Sequence, residues 1–333
     1  MADPHFIVGA YASLPLQRSE QSLYYALLGE QAWIDGAELP FPGDLAKHDD
    51  RDFLAKALPK HWVFNTVTLI PGTMRHVGVD ADFGLASPNS NGRMAAFDFT
   101  RQARDAILDL ANSRGSNDVA YLEIHSAPTA HASATAMSQS VEELLSWDWA
   151  GTRLVIEHCD AYVEGQTPEK GFLPIDEEID LCAARGIGLT VNWGRSCLEG
   201  RNAGTPEDHI GRASEAGVLT GLMFSGASDR ATDFGGAWAD GHLPMWPDES
   251  ASLMNAERVA ICAQMARECP GLEYMGAKVC VPASDSLPAR MDRLARIREA
   301  GDPERRRWMA PVGAGSPHCG NPTTEGAGVG RVV

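Results

Sequence analysis

Hydrophobic runs of strand length alternate with amphipathic helical patterns along most of the chain. The apolar runs are rich in aliphatic and β-branched residues and contain few polar positions, which is typical of parallel strands covered on both faces. We predict strands over residues 6–12, 37–41, 62–70, 119–125, 153–158, 187–193, 218–225 and 274–281. We predict helices over residues 19–32, 50–57, 94–113, 138–147, 175–185, 206–216, 255–267 and 286–300.

Eight consecutive β/α units predict an α/β protein with a (β/α)8 TIM barrel as its single domain. A doubly wound open sheet would need a glycine-rich phosphate loop after the first strand, and the segment YASLPLQRS is not one. We assign residues 1–310 to the barrel domain and expect residues 311–333, rich in glycine and proline, to form a flexible tail. The long loops 71–92 and 226–252 are expected to lie over the active site.

Composition narrows the range of partners. The chain of 333 residues carries a formal net charge of −17, which disfavours binding to nucleic acid. It contains no apolar run long enough to span a membrane, and its first residues lack the pattern of a secretory leader. Seven irregularly spaced cysteines without a CxxC pair indicate reduced thiols rather than disulfides or a cysteine zinc site. We therefore expect a cytoplasmic protein.

Polar residues at the ends of the predicted strands are the candidates for chemistry, because a TIM barrel has its active site at the carboxyl ends of its strands. The segment RLVIEHCDAY leads from an apolar strand into Glu157, and strand alternation directs this residue into the barrel mouth and His158 toward the helices. The other candidate catalytic residues are His125, Glu123 and Lys278. Each has a structural alternative, since an acid and a lysine can form a buried salt bridge and a histidine can be a hydrogen-bonded core residue.

A second group of residues is predicted to bind substrate. Trp193 and Tyr11 can provide an aromatic platform for a sugar ring, although both are also compatible with plain core packing. The forked guanidinium groups of Arg195 and Arg93 suit an anion. The remaining candidates are Glu38, Asp160 and Asn192, which also lie near strand ends.

Short stretches of the chain resemble the xylose-isomerase-like superfamily of TIM barrels, which includes sugar isomerases, sugar epimerases and the endonuclease IV group. The matching segments are DGAELPF with Glu38, EIHSAP with His125 and VIEHCDA with Glu157, and the resemblance extends over residues 6–300. A GAYAS-like first strand also resembles an uncharacterised bacterial family within this group. The resemblance implies the barrel fold and a carbohydrate substrate, and it implies that two copies can pair as a homodimer.

The chain departs from the superfamily at the metal site. Metal-dependent members carry an acid on strand five, an acid on strand six, a histidine on strand seven and an acid on strand eight. Here strand five keeps Glu157, but the other positions are Asn192, Ser225 and Lys278. Hard cations require several anionic oxygens, and an ammonium group repels them. We therefore expect no metal and no other cofactor at this site. Non-standard ligation by His125, Glu157 and Asp160 is the alternative.

Lys278 can supply the positive charge that the metal ion supplies in metal-dependent members of the superfamily. It can hold a substrate anion, polarise a carbonyl and lower the pKa of Glu157. Alternatively, a desolvated lysine can act as a base or form a Schiff base.

These residues leave three functions open. The first is a sugar or sugar-acid isomerase, epimerase or lyase that works by proton transfer, with Glu157 as base and His125 or Glu123 as second acid or base. The second is a glycoside hydrolase that uses the pair Glu123 and Glu157. The third is a non-catalytic sugar-binding barrel. All three imply a small carbohydrate ligand, and Lys278 favours an anionic one.

Overall fold

The structure, a computed structural model, describes residues 3–302, and within them eight parallel strands close into a barrel in chain order. Each strand pairs with its neighbours in sequence, and β1 pairs with β8 to complete the ring. The strands are β1 (His5–Val8), β2 (Gly36–Pro40), β3 (Asn65–Thr68), β4 (Val119–Ile124), β5 (Arg153–Glu157), β6 (Gly188–Asn192), β7 (Leu219–Phe224) and β8 (Tyr274–Ala277). The prediction of a (β/α)8 barrel is confirmed.

Helices surround the barrel in the described part of the chain and cover the outer faces of the strands. They are α1 (Arg18–Gly29), α2 (His48–Ala57), α3 (Ile70–Val77), α4 (Ser90–Arg114), α5 (Ala134–Leu145), α6 (Ile175–Arg185), α7 (Trp193–Gly200), α8 (Thr205–Glu215), α9 (Ala256–Arg267) and α10 (Leu287–Ala300). Local sequence signals fix several of their ends. Gly186 ends α6 in the left-handed conformation, and the Asn255 side chain caps α9 by accepting a hydrogen bond from a first-turn N–H.

Two short helices differ from the prediction. Helix α3 occupies the start of the segment 71–92, which we predicted to be a loop, and α7 begins directly after β6. Helix α3 follows β3 after a single residue, Leu69, and α7 follows β6 directly, so the apolar pattern of each strand continues into a helix. Periodicity over so few residues does not distinguish the two elements.

Apolar side chains fill two regions. The larger core lies between the barrel and the helices, and a smaller cluster fills the lower interior of the barrel. The interior cluster consists of Ile7, Phe64, Tyr121, Val155, Met223 and Tyr274. Polar residues begin immediately above it, at the carboxyl ends of the strands, so the barrel has a packed apolar floor beneath a polar mouth.

The predicted tail, residues 311–333, lies outside the described residues, as does the end of the predicted domain at residue 310. None of the helices in the described part of the chain is long and apolar enough to cross a membrane.

Candidate active site

Glu157, the last residue of β5, lies at the centre of the barrel mouth and is completely buried. Its carboxylate contacts five side chains that come from the ends of four other strands. Arg195 Nη1 lies 2.7 Å from Oε2, and Lys278 Nζ lies 3.6 Å from Oε1. The remaining contacts are hydrogen bonds from Asn192 Nδ2 (3.1 Å) and Thr68 Oγ1 (3.3 Å) and an approach of His125 Nε2 to 3.9 Å.

The charges around Glu157 decide its protonation state. Burial by itself raises the pKa of a carboxyl group, but Arg195 and Lys278 outweigh this effect and hold the pKa of Glu157 well below its usual range. Glu157 is therefore ionised at neutral pH. Two cations and an amide donor hold one carboxylate in a fixed orientation.

The pKa of Glu123 is shifted in the opposite direction to that of Glu157. Burial, reinforced by the neighbouring charges of Glu38 and Glu157, raises the pKa of Glu123 well above its usual range. Among the described residues, Oε2 of Glu123 and Oε2 of Glu38 both lack an assigned hydrogen-bond partner. If Glu123 is protonated at Oε2 and donates a hydrogen bond to Oε2 of Glu38, each of these two oxygens has a hydrogen-bond partner. Tyr274 donates to the other oxygen of Glu123 at 3.2 Å. The mouth thus contains an ionised acid and a neutral acid.

Strand register separates the two acids along the barrel axis. Glu123 pairs with Val155, whereas Glu157 lies two residues further along β5. Glu123 therefore lies one layer deeper, next to the apolar floor. Carboxyl oxygens of Glu38, Glu123 and Glu157 nevertheless lie within 4.8 Å of one another.

Lys278 follows β8 directly, and its ammonium group lies inside the mouth without exposure to solvent. Nζ lies 2.9 Å from Glu38 Oε1, and the ring of Tyr11 lies beside it with its centroid 5.7 Å away. Burial favours the neutral amine, but Glu157 and Glu38 outweigh it and raise the pKa of Lys278 well above its usual range. The side chain is an ammonium ion, which fits the electrostatic role and not that of an amine nucleophile.

The path of the Lys278 side chain depends on Gly9 at the end of β1. A Cβ atom at position 9 would lie 2.6–2.9 Å from three carbons of the Lys278 side chain, closer than real contacts allow. Only glycine leaves room for the lysine to enter the mouth from this side.

His125 is neutral in this environment, because burial lowers its pKa to about 3 despite the nearby charge of Glu157. Its Nδ1 lies 3.2 Å from the carbonyl oxygen of Glu157, which makes Nδ1 the protonated nitrogen. Nε2 then carries a lone pair directed toward Thr68 (3.4 Å) and the Glu157 carboxylate. His125 can therefore accept a proton at Nε2.

The donor set of the mouth is a poor fit for the divalent cation of the superfamily. A hard cation needs several carboxylate oxygens free to coordinate it. Here Lys278 and Arg195 already occupy both oxygens of Glu157, and Lys278 also occupies Glu38. Asn192 and Ser225 hydrogen-bond each other at 2.9 Å and offer only neutral oxygens. A metal ion would have to enter against two buried positive charges.

The structure brings most of the predicted site residues together but leaves three outside the central cluster. Asp160 accepts hydrogen bonds from the backbone N–H groups of residues 169–171 and so fixes the loop after β5. Trp193 is buried in the main core, beside Cys262 of α9, and presents no platform to the mouth. Arg93 donates to the carbonyl of Ser87 and borders a surface groove between α4 and α5.

Two functional candidates were not anticipated from the sequence. Thr68 ends β3 and donates to Glu157, and Asp240 in the loop after β7 lies 3.3 Å from Arg195 Nε. Asp240 also binds Lys170, from the loop after β5, at 3.1 Å. The alternation within β3 could have indicated Thr68, whereas no local pattern marks Asp240 in its long loop. These contacts join two loops over the mouth.

Comparison with known proteins agrees with the barrel fold. Solved structures that share the fold include D-psicose 3-epimerase in the presence of D-fructose, with a TM-score of 0.51 and 14% identity over 90% of this chain and 96% of that one. A xylose isomerase domain protein from Alicyclobacillus acidocaldarius has a TM-score of 0.52 and 14% identity over 89% and 98% of the two chains. The chain thus shares the TIM-barrel fold of a sugar epimerase and of a xylose isomerase domain protein.

The chain belongs to the family described as "Domain of unknown function (DUF4862)", whose model matches residues 7–293. An uncharacterised protein of Salmonella typhimurium is 36% identical over 263 residues, which cover 76% of this chain and 83% of that protein. The resemblance noted in the sequence is confirmed, both in the TIM-barrel fold and in the membership of an uncharacterised family.

Proposed function

We propose that the protein is a carbohydrate-active enzyme that isomerises, epimerises or eliminates a sugar or sugar acid by proton transfer, with Lys278 and Arg195 supplying the positive charge that a divalent metal supplies in relatives. The convergence of these two cations on the Glu157 carboxylate carries the proposal. The sugar isomerase/epimerase-like fold supports the substrate class.

In this reaction Glu157 removes a proton from the carbon next to the substrate carbonyl. The carbonyl oxygen becomes an oxyanion, which Lys278 and Arg195 stabilise by charge-assisted hydrogen bonds. For an epimer, a second acid, the neutral Glu123, delivers its proton to the opposite face of the same carbon, and the proton on Glu157 then replaces the one that Glu123 lost. For an isomer, Glu157 delivers its proton to the neighbouring carbon, with proton exchange between the two oxygens. His125 Nε2 and the neutral Glu123 are the candidates for moving the proton between oxygens.

The same cations regulate the basicity of Glu157. Without substrate they hold its carboxylate and make it a weak base. A substrate oxygen that takes over the N–H donors of Lys278 and Arg195 weakens those ion pairs, and the basicity of Glu157 rises as the substrate binds. A carboxylate or phosphate on the substrate would bind these cations more strongly than a neutral hydroxyl, so we favour an anionic sugar.

Substrate entry requires a loop movement, because Glu157 and Lys278 are fully buried. The segment 226–255 carries Asp240, whose ion pairs with Arg195 and Lys170 close the mouth. Tyr11 is half-buried above Lys278 and borders the entrance. An anionic substrate would compete with Asp240 for Arg195 and would thereby release the loop.

Solvent exchange tests the proposal. The full-length protein is incubated with a panel of aldoses, ketoses and sugar acids in D2O, and deuterium incorporation next to the carbonyl is followed by NMR. We expect exchange with at least one substrate class, without stimulation by added Mn²⁺ or Mg²⁺. Glu157→Gln should reduce the rate by about 10²–10⁴-fold, whereas Glu142→Gln, at an exposed position of α5, should not change it.

Other outcomes would favour the other two functions. Release of nitrophenol from glycosides would indicate a hydrolase, a function that the close approach of the carboxyl oxygens of Glu123 and Glu157 makes worth testing. The separation of these acids along the barrel axis argues against it, because a glycosidic bond has to lie between them. Ligand binding that is unaffected by Glu157→Gln, without any turnover, would indicate a sugar-binding barrel. Pairing into a homodimer stays a prediction.

A further inference from the structure

A second buried polar cluster lies outside the barrel, in the helix layer. It consists of His158 after β5, Glu178 on α6, Glu199 on α7 and His209 on α8, and we call it the helix-layer cluster. His158, Glu178 and His209 are almost completely buried, and the side chain of Glu199 is 15% exposed. The proposed reaction uses none of these four side chains, so the cluster needs a separate explanation.

We propose that His158, Glu199 and His209 form a binding site for a first-row transition-metal ion of the Zn²⁺ type. Nε2 of His158 lies 3.0 Å from Glu199 Oε2, and Nε2 of His209 lies 3.6 Å from Glu199 Oε1. One potential ligand atom from each of the three residues lies within 4.8 Å of the others. Tetrahedral zinc with bonds of about 2.0–2.1 Å separates its ligand atoms by roughly 3.3 Å. The observed spacings lie on either side of this value.

The two imidazole rings have the mutual position of ligands on one metal ion. Their centroids are 5.1 Å apart, and their planes are inclined by 75°. Two imidazoles that bind one tetrahedral ion through Nε2 have centroids roughly 5 Å apart, because each centroid lies about 3.2 Å from the metal. The T-shaped arrangement of His158 and His209 is therefore compatible with one shared ion.

Each histidine also has a partner for its second ring nitrogen. Nδ1 of His158 lies 2.7 Å from Glu178 Oε2, and Nδ1 of His209 lies 3.0 Å from Ser196 Oγ. The other oxygen of Glu178 accepts a hydrogen bond of 2.5 Å from Ser126. Histidines that bind a metal generally donate this second N–H to a carboxylate, carbonyl or hydroxyl, which fixes the tautomer and directs Nε2 to the ion.

A metal ion also explains the cluster better than hydrogen bonding alone. Without an ion, a protonated His158 can bridge Glu178 and Glu199, but the four side chains then carry a net charge of −1 in a buried site. The 3.6 Å separation of His209 Nε2 and Glu199 Oε1 is also too long for a hydrogen bond. A divalent ion with two neutral histidines balances the two carboxylates, and it occupies the gap between these atoms.

The site would connect elements that support the barrel mouth. His158 follows Glu157 directly, and Glu199 lies one turn after Arg195 on α7. An ion between β5 and α7 would therefore hold the base and the cation that orients it in a fixed relation. The partly exposed Glu199 gives an ion a route of entry and leaves a fourth coordination position for water. None of the three ligands contacts the side chains of the barrel mouth, so the ion would take no direct part in the proposed reaction.

Metal content and cobalt spectroscopy test this proposal on the full-length chain, purified without a histidine tag. We expect about one equivalent of Zn²⁺ per chain after dialysis against zinc-containing and then metal-free buffer. Replacement by Co²⁺ should give the visible absorption of a tetrahedral cobalt complex. His209→Ala should lose the bound metal, whereas His131→Ala, at an exposed position, should retain it.

The variant His209→Cys provides a readout that does not depend on loss of binding. Cysteine is itself a zinc ligand, so this variant should keep the metal, and its Co²⁺ form should gain a thiolate-to-cobalt charge-transfer band in the near ultraviolet. If His209→Ala does not fold, the wild-type protein and His209→Cys carry the test. Zinc below one tenth of an equivalent in wild type, or a Co²⁺ spectrum identical in wild type and His209→Cys, would overturn the proposal. Neither measurement involves a sugar, so failure of the metal proposal would leave the proposed enzymatic function untouched, and failure of the enzymatic function would leave the metal proposal untouched.

Discussion

Removal of the Lys278 charge is the most informative perturbation of the barrel mouth. Lys278→Met keeps a side chain of similar length but leaves Glu38 without its 2.9 Å ion pair and Glu157 without its 3.6 Å neighbour. All three side chains have no exposure to solvent. Breaking a buried pair by removing one partner costs about 3–5 kcal/mol, because the remaining charge is buried without compensation. Arg195 still compensates Glu157, so we expect a cost near the lower end, about 3 kcal/mol.

A double-mutant cycle separates the ion pair from the loss of packing. Glu38→Gln combined with Lys278→Met removes both charges, and we expect the double variant to be more stable than Lys278→Met alone by about 1–3 kcal/mol. Unfolding in urea, followed by circular dichroism, measures the free energies. At about 2 °C per kcal/mol for a domain of this size, the single variant should melt roughly 6 °C below wild type.

Lys56→Met, at an exposed position of α2, is the matched control and should change stability by less than about 0.5 kcal/mol. A Lys278→Met protein as stable as Lys56→Met would show that the ammonium group is not held between buried acids. Lys278 could then not replace a metal ion as the source of positive charge, since that role depends on its contact with Glu38 and Glu157.

Three further predictions concern the surroundings of the site. Gly9→Ala should destabilise the protein by about 1–3 kcal/mol in urea unfolding, because the new methyl group displaces Lys278, whereas Gly236→Ala has open space and should be neutral. Asp240→Asn should lower the melting temperature at pH 7 and pH 5. His242, Lys170 and Arg195, against the effect of burial, hold the pKa of Asp240 well below its usual range, so the stability that Asp240 contributes is present above about pH 4 and lost as pH falls further. A melting-temperature difference that stays constant down to pH 3 would contradict this. Asn255→Ala should cost about 1 kcal/mol of unfolding free energy through loss of the α9 cap, and an unchanged urea midpoint would refute it.

The barrel and most of its mouth could be predicted from the sequence alone. Continuous apolar runs separated by helical patterns determine the number and order of strands, because parallel strands buried on both faces tolerate few polar residues. Period-two alternation placed Glu157 inside the mouth and His158 toward the helices, as the contacts of both residues confirm. The sequence alone also showed a lysine at position 278, where the superfamily resemblance implies an acid.

Tertiary structure alone decided which polar groups meet and in which protonation state. Glu38 and Lys278 are 240 residues apart in sequence, and their contact results from closure of the barrel. Asp240 lies in a long loop whose local sequence carries no periodic signal, and Trp193 turns into the core because α7 begins directly after β6. The helix-layer cluster likewise collects residues from four separate elements. Local patterns specify elements and faces, whereas distances between side chains depend on how distant elements pack, and electrostatic effects depend on those distances.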